Sequence, residues 1–476
     1  MLLVFALVAL LFLVDFGISG PIGNGRNAPV FNTMSSKSLT KRDSTKYVVA
    51  HFMVGNTYPY TLQNWLSDIH LAHQNGIDGF ALNVGRDSWQ PQQVASAFQA
   101  AQQSGTGFKL FMSFDMTSLP CDSASDAATL RNYITTYASH PNHLIYNGRA
   151  FASTFSGESC HFGQGSVQSG WSTQFLQQLS GENAVYFVPS FFVDTSAFQG
   201  FDGVINGMFN WNSGWPTQLT ASSVPNFASS ALSSLAAYIG ATASDEQYIN
   251  ALNPMGASYM AAVSPWFFTH YSPQTYNKNW IYLSDEHLYA KRWESLIRIR
   301  DQVDIVQIAS WNDFGESHYI GPIEGAQPNS QAWVNGFNHT GWLSMTSYYA
   351  TAFKTGTYPA ISKDQIIMWS RPHPAFATAP DPVGPPTNHQ ITADKIWAVV
   401  FAASPATVTL STSSSESQTF DVGAGATKLS LPINPGGYMK AVLQRNGQTV
   451  IDLCPSFSFN PSPPSYNFNA FVVSSS

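Results

Sequence analysis

From Tyr47 to Trp311 the chain repeats one rhythm: a short apolar run of β-type residues, a polar break, then an amphipathic stretch. Strands alternating with helical patterns are the sequence form of parallel strands joined by crossover helices. The expected strands are Tyr47 to Met53, Gly79 to Val84, Phe108 to Phe114, Ala150 to Phe155, Val185 to Phe191, Gly203 to Phe209, Tyr259 to Phe267 and Ile305 to Trp311. Helical patterns fall at Leu62 to Gln74, Pro91 to Gln103, Ala127 to Ser139 and His287 to Arg300. Eight strands of this kind predict a closed (β/α)8 barrel of the TIM type over residues 43–360. An open dinucleotide-binding sheet is disfavoured, because no glycine fingerprint follows the first strand.

After Phe353 the texture changes. Pro-rich connections (372–386) lead into alternating runs at Ile396 to Phe401, Thr407 to Ser411, Lys428 to Leu431 and Met439 to Leu443. This predicts a C-terminal all-β, sandwich-like domain over 361–476. Only Trp397 and Tyr438 offer themselves as exposed sugar platforms, so the domain reads as packing for the barrel rather than as a binding module.

Partners are narrowed by charge. Only 10% of residues are charged and the net charge is -7, with no basic cluster, which argues against nucleic acid or an anionic membrane surface. Aromatics make up 14% of the chain among Ser, Thr, Asn and Gln-rich loops, a balance suited to neutral polymers such as polysaccharides. Leu2 to Val14 reads as a signal peptide, and Lys41-Arg42 as a dibasic site ending a short prosegment, so that residues 1–42 are removed. No later run is long enough to span a bilayer. The expected product is a secreted or cell-wall monomer. Of three cysteines, Cys121 and Cys160 are expected to pair, leaving Cys454 over and buried. Asn338-His339-Thr340 is a glycosylation sequon.

In a parallel barrel, chemistry gathers at the C-terminal ends of the strands. Those positions hold His51, Asn83, Asp115, Asp194, Trp211, Trp266, Tyr271, Asn312, His318 and Tyr319, all expected to bind substrate. A lone His or Asn at a strand end is more often structural than catalytic; their convergence carries the reading. Asp313 and Glu316 supply the two carboxyl groups that glycoside hydrolysis needs, one to protonate the leaving oxygen and one to activate water. Asp115 and Asp194 are the reserve carboxylates, should that pair stand too close for an inverting water.

The segments His51-Phe-Met-Val-Gly-Asn56, Gly79-Phe-Ala-Leu-Asn-Val-Gly85, Lys109-Leu-Phe-Met-Ser-Phe-Asp115, Ser264-Pro-Trp-Phe-Phe-Thr-His270 and Ser310-Trp-Asn-Asp-Phe-Gly-Glu-Ser-His-Tyr-Ile-Gly-Pro322 resemble glycoside hydrolase family 71, the fungal α-1,3-glucanases or mutanases. The resemblance covers roughly residues 45–375 and runs on into the tail. It implies a barrel with a C-terminal β-domain, endo-hydrolysis of α-1,3-glucan with inversion, and no metal or cofactor. The family's Asp-x-x-Glu pair falls on Asp313 and Glu316, with Glu316 assigned as acid and Asp313 as base. A related endo-α-mannosidase family carries Glu at the first position, so Asp313 favours the glucanase. The segment Leu283-Ser-Asp-Glu-His287 differs from the family's version, and Asp285 and Glu286 receive no role. An endo-α-mannosidase-like hydrolase and a non-catalytic glucan-binding wall protein are the alternatives.

Overall fold

The computed structural model describes residues 45–475 apart from 225–231 and 233; the expected signal peptide and prosegment lie outside the described residues. Eight parallel strands follow the sequence rhythm: β1 (Tyr47–Met53), β2 (Gly79–Val84), β3 (Lys109–Asp115), β4 (Arg149–Phe155), β5 (Val185–Phe187), β6 (Gly207–Asn210), β7 (Ser258–Val263) and β8 (Ile305–Ile308). They run in the order β5-β4-β3-β2-β1-β8-β7-β6. Two hydrogen bonds bridge the seam between β5 and β6, from Asn206 N to Phe187 O and from Phe209 N to Pro189 O, each 2.8 Å. The result is an α/β barrel whose first and last strands are direct neighbours, Tyr47 opposite Ile305.

Helices α1 (Leu62–Gln74), α2 (Gln90–Gln103), α3 (Ala124–Tyr137), α4 (Ala243–Leu252) and α5 (Leu288–Arg298) cover the sheet. Thr61 and Ser123 open α1 and α3 with reciprocal capping boxes to Asn64 and Asp126, satisfying backbone N–H groups that have no partner within the helix. Crossovers after β4 and β5 are short 3-10 and π turns instead of full helices.

Two expected strands end early for the same reason. β5 stops at Phe187 ahead of Pro189, and β7 stops at Val263 ahead of Pro265, because proline has no N–H for the ladder. Past Pro265 the chain forms a separate hairpin, Phe268–His270 with Asn279–Ile281.

The tail folds into two antiparallel sheets. With β9 (Gln365–Ser370), β10 (Lys395–Ala402), β11 (Ala406–Ser411), β12 (Ser417–Val422), β13 (Gly425–Pro432), β14 (Lys440–Arg445), β15 (Gln448–Leu453) and β16 (Phe471–Ser474), their orders are β13-β10-β9-β16 and β12-β11-β14-β15. Period-2 geometry divides the first sheet's side chains between two cores. Ile366, Met368, Ala398 and Val400 meet Val408, Leu410 and Leu443 of the second sheet, while Ile367, Trp369, Trp397 and Val399 join the core of the barrel. A sheet apolar on both faces is one that something covers on both sides. His287 Nε2 reaches Leu429 O at 2.9 Å, and His339 Nε2 reaches Ala470 O at 3.0 Å. Asp285, which had no role by sequence, bonds Arg371 Nη1 at 2.5 Å and accepts from Ala393 N at 2.6 Å.

Cys121 and Cys160 form a disulfide. Cys454 is exposed instead of buried: it follows β15, the edge strand of the outer sheet, where one flank has no neighbour to cover it. No helix among the described residues is long and apolar enough to cross a membrane.

Candidate active site

The loop leaving β8 is fastened before it reaches its carboxylates. Asn312, fully buried, accepts from Met53 N at 2.7 Å and donates to Met53 O at 3.1 Å, clipping the loop to the end of β1. Asn56 Nδ2 adds a bond to Asn312 O at 2.9 Å. Asp313 N donates to Ser310 Oγ at 2.8 Å, and Phe314–Glu316 then turn as a single 3-10 helix. Gly315 has no substitute in that turn, since a Cβ there would lie 2.0 Å from Tyr271 Oη.

His318 ties the two ends of the loop together. Its Nδ1 meets Ser310 Oγ at 2.9 Å, and its Nε2 lies 3.1 Å from Glu316 Oε2 and 3.8 Å from Asp313 Oδ2. The Ser310 hydroxyl accepts from Asp313 N, which leaves its own proton available to His318 Nδ1, and Nε2 is the ring nitrogen that faces Glu316. On the other side of Glu316, Lys278 Nζ stands 3.1 Å from Oε1. Both carboxylate side chains are 19% exposed, enough to meet a ligand and too little for full hydration.

These surroundings drive the two acids apart. Burial, then the neighbouring Glu316 charge, pushes the Asp313 carboxyl up to about 6. Burial also opposes charge on Glu316, but the Lys278 ammonium, followed by His318, outweighs it and holds Glu316 well below the usual carboxylate range. Glu316 in turn keeps Lys278 firmly protonated. Two acids in one cleft whose titrations are pushed in opposite directions are the arrangement from which acid–base pairs are built. Asp313, Glu316 and His318 could also be viewed as a metal triad, but the Lys278 ammonium already occupies the Glu316 side and repels a second cation.

Several sequence-predicted residues stand around the pair. Trp211 lies edge-on to His51, ring centres 4.9 Å apart, and 6.2 Å from the His318 ring. His51 is buried beneath it, and burial pushes its imidazole down to about 3, so it is neutral. Tyr271 packs on Gly315, and the phenol is held protonated by burial and then by Asp313. Asp115 ends β3 in a turn with Thr117 Oγ1 at 2.6 Å; burial raises its carboxyl, and Lys278 acts on it too. Asn83 is buried at the end of β2 beside Met53 and Ser113.

Others fall elsewhere. Trp266 is 0% exposed; turned away past Pro265, its indole N–H donates to Phe468 O at 2.8 Å while Arg371 covers its ring at 4.4 Å. It joins the barrel to the tail and leaves no face for a sugar. Tyr319 is likewise fully buried, stacked on His339 at 4.0 Å, with its hydroxyl donating to Phe337 O. Asp194 is exposed and caps a turn through Ser196 N at 2.8 Å, the common use of an Asp at such a position. Asn312 and His318 are in the site but act by holding the loop. Lys278, which sets the charge state of Glu316, escaped the sequence reading, because a lysine between asparagines in a polar loop carries no local signal. Asn338 of the sequon is exposed, its Oδ1 accepting from Thr340 N at 2.8 Å.

Beneath the loop, on α1, Asp68 is buried and accepts from Tyr60 Oη at 2.9 Å. Burial pushes its carboxyl from 3.8 up to about 7. A folded-state value above the unfolded one contributes stability below pH 3.8 that is lost as pH rises through about 7. The shift corresponds to on the order of 4 kcal/mol. Thermal melts of Asp68→Asn are expected to lose visibly less stability between those limits than wild type; parallel curves would refute this assignment.

Relatives point the same way as the geometry. The chain is 38% identical to the glucan endo-1,3-alpha-glucosidase agn1 of Schizosaccharomyces pombe, over 91% of this chain and 95% of that protein. It is 32% identical to the mutanase Pc12g07500 of Penicillium rubens, over 92% and 90%, and 33% identical to the S. pombe ascus wall endo-1,3-alpha-glucanase, over 82% and 86%. Among solved structures, the GH99 endo-alpha-mannosidase of Bacteroides thetaiotaomicron matches at 10% identity with a TM-score of 0.46, covering 66% of this chain and 99% of that one, too distant to carry an argument. The family model for glycosyl hydrolase family 71 matches residues 44–476, from before the first strand to past the last. A barrel strand ending in a Lys- and His-held Asp/Glu pair, within a chain matched along its whole described length, places this protein in glycosyl hydrolase family 71.

Proposed function

We propose that this protein is a secreted or wall-located endo-hydrolase of α-1,3-glucan, working on a (β/α)8 barrel followed by a β-sandwich. The observation that carries the chemistry is the Asp313 and Glu316 pair in one cleft, with Lys278 and His318 both on Glu316; the substrate comes from the printed activities of the relatives. A hydrolase must add one proton to the departing sugar oxygen and take one from water. Below a pH of about 6 the free site holds its transferable proton on Asp313 and keeps Glu316 ionised. For Glu316 to donate, as assigned from the sequence, the sugar must part it from Lys278 and draw the proton across.

Inversion is part of the proposal. The pair presents oxygens within 4.8 Å of each other, against roughly 6.5–9.5 Å between carboxyl groups in most inverting enzymes. Water fits beside such a pair better than between its members. Incubation with insoluble α-1,3-, β-1,3- and α-1,4-glucans should release sugars from the first alone. The first product, followed by NMR before mutarotation, should be the β-anomer; an initial α-anomer would mean retention, with one carboxylate as nucleophile.

A further inference from the structure

A cavity abuts the loop that carries the carboxylate pair through Trp333, and the barrel does not build it alone. About 220 Å³ in volume, it is walled by His270, Thr275, Asn329 and Trp333 from the barrel and by Asp381 and Tyr466 from the tail. Its framework is rigid. His270 Nε2 meets Asp381 Oδ2 at 2.9 Å and its Nδ1 meets Asn279 Oδ1 at 2.8 Å; Asp381 Oδ2 also accepts from Tyr466 N at 2.9 Å. The His270–Asp381 contact therefore fixes the tail against the hairpin and fixes the Tyr466 backbone with it.

The cavity also shares a wall with the catalytic loop. Trp333 Nε1 donates to Gly315 O at 3.3 Å, and its ring stands edge-on to Tyr271 at 4.9 Å. Tyr276, next in the chain to Thr275 of the cavity wall, is 49% exposed and set edge-on against Tyr271 at 4.7 Å. A large, exposed ring that is buttressed rather than mobile offers an apolar face to a ligand crossing it. The neighbouring recess has aromatic edges, hydroxyls and an amide, the mixture a pyranose satisfies with its apolar face and its hydroxyls.

We propose that Tyr276 and this cavity form a distal glucan subsite, so that a chain cleaved at Asp313 and Glu316 runs across Tyr276 and lodges a further sugar against Asn329 and Tyr466. The β-domain thereby contributes directly to substrate binding, and the enzyme prefers chains long enough to reach it. The inference rests on the α-1,3-glucanase reading, and it assigns to the tail a role that packing alone does not give.

The test compares short and long linear α-1,3-gluco-oligosaccharides as substrates for wild type, Asn329→Ala, Tyr466→Ala and the double variant. Each lost sugar contact of hydrogen-bond strength is worth about 1 kcal/mol, or roughly fivefold in affinity. The double variant should therefore raise KM for long chains by about tenfold or more, leave kcat and all constants for short chains unchanged, and shift the preferred bond of cleavage. Unchanged constants for the short chains also show that the variants are folded; should Tyr466→Ala fail that control, Asn329→Ala alone carries the comparison. Identical length dependence in wild type and variants would overturn the subsite. Failure of wild type to cleave any of the oligosaccharides would instead overturn the glucanase reading itself.

Discussion

Replacing either member of the β8 pair should all but abolish hydrolysis of α-1,3-glucan while leaving glucan binding in place. General acid–base catalysis by a positioned side chain contributes about 10²–10⁴-fold, so Asp313→Asn and Glu316→Gln are each expected to lose kcat on that scale. Both replacements keep the volume of the side chain and leave the clips at Asn312 and Ser310 untouched. An activated aryl glycoside, whose leaving group departs without protonation, then separates the roles. The variant of the acid should recover much of its rate on that substrate, whereas the variant of the base should stay crippled, since water needs activation whatever leaves. With the resting proton on Asp313, the recovery should fall to Asp313→Asn, and wild-type activity limited by that proton should decline as pH rises through about 6. Recovery by Glu316→Gln instead would establish the order assigned from the sequence and show that substrate displaces Lys278 from Glu316. Full turnover of the polymer by either variant would remove the pair from the mechanism.

Truncation before Ile366 should yield no soluble barrel. The tail covers Trp266, and its Trp369, Trp397, Val399 and Phe468 belong to the barrel's own core. Each large apolar side chain of the barrel that their loss returns to water, such as Trp266, Trp342 and Phe268, costs about 1.5–3 kcal/mol. Four or five of them consume the whole stability margin of an ordinary domain, about 5–15 kcal/mol. Asp285 would in addition lose Arg371, leaving a buried charge unpaired, which costs several kcal/mol more. Expression of residues 43–365 is therefore expected to give aggregate, read as loss of soluble protein and of any cooperative melt. A truncated barrel that is soluble and melts like the full chain would show the tail to be an appendage. Asp381 and Tyr466 of the tail wall the cavity proposed as a distal subsite.

How much of this was legible beforehand depends on how local its cause is. Strands β1 and β2 and helix α1 lie at the residues expected from their patterns, because hydrophobic period and capping are properties of consecutive residues. The same holds for the loop that carries Asp313 and Glu316: a strand end followed by a fixed spacing can be read directly along the chain. The strands near Pro189 and Pro265 came out too long, although the prolines were in view. Apolar runs bounded by aromatics masked the missing ladder donors.

What no local pattern contained was which side chains face each other across hundreds of residues. Trp266 and Trp211 both sit at strand ends in aromatic company, yet one seals the tail and the other stands over His51. The sequence by itself determined a parallel barrel with a β-rich tail, and a carboxylate pair after the eighth strand. Only the tertiary structure decided that Lys278 reaches Glu316, that His318 spans Ser310 and both acids, and that Asp381 of the tail meets His270. Charge state is set by what lies within a few ångströms in space, and those neighbours are brought together by the packing of the whole chain.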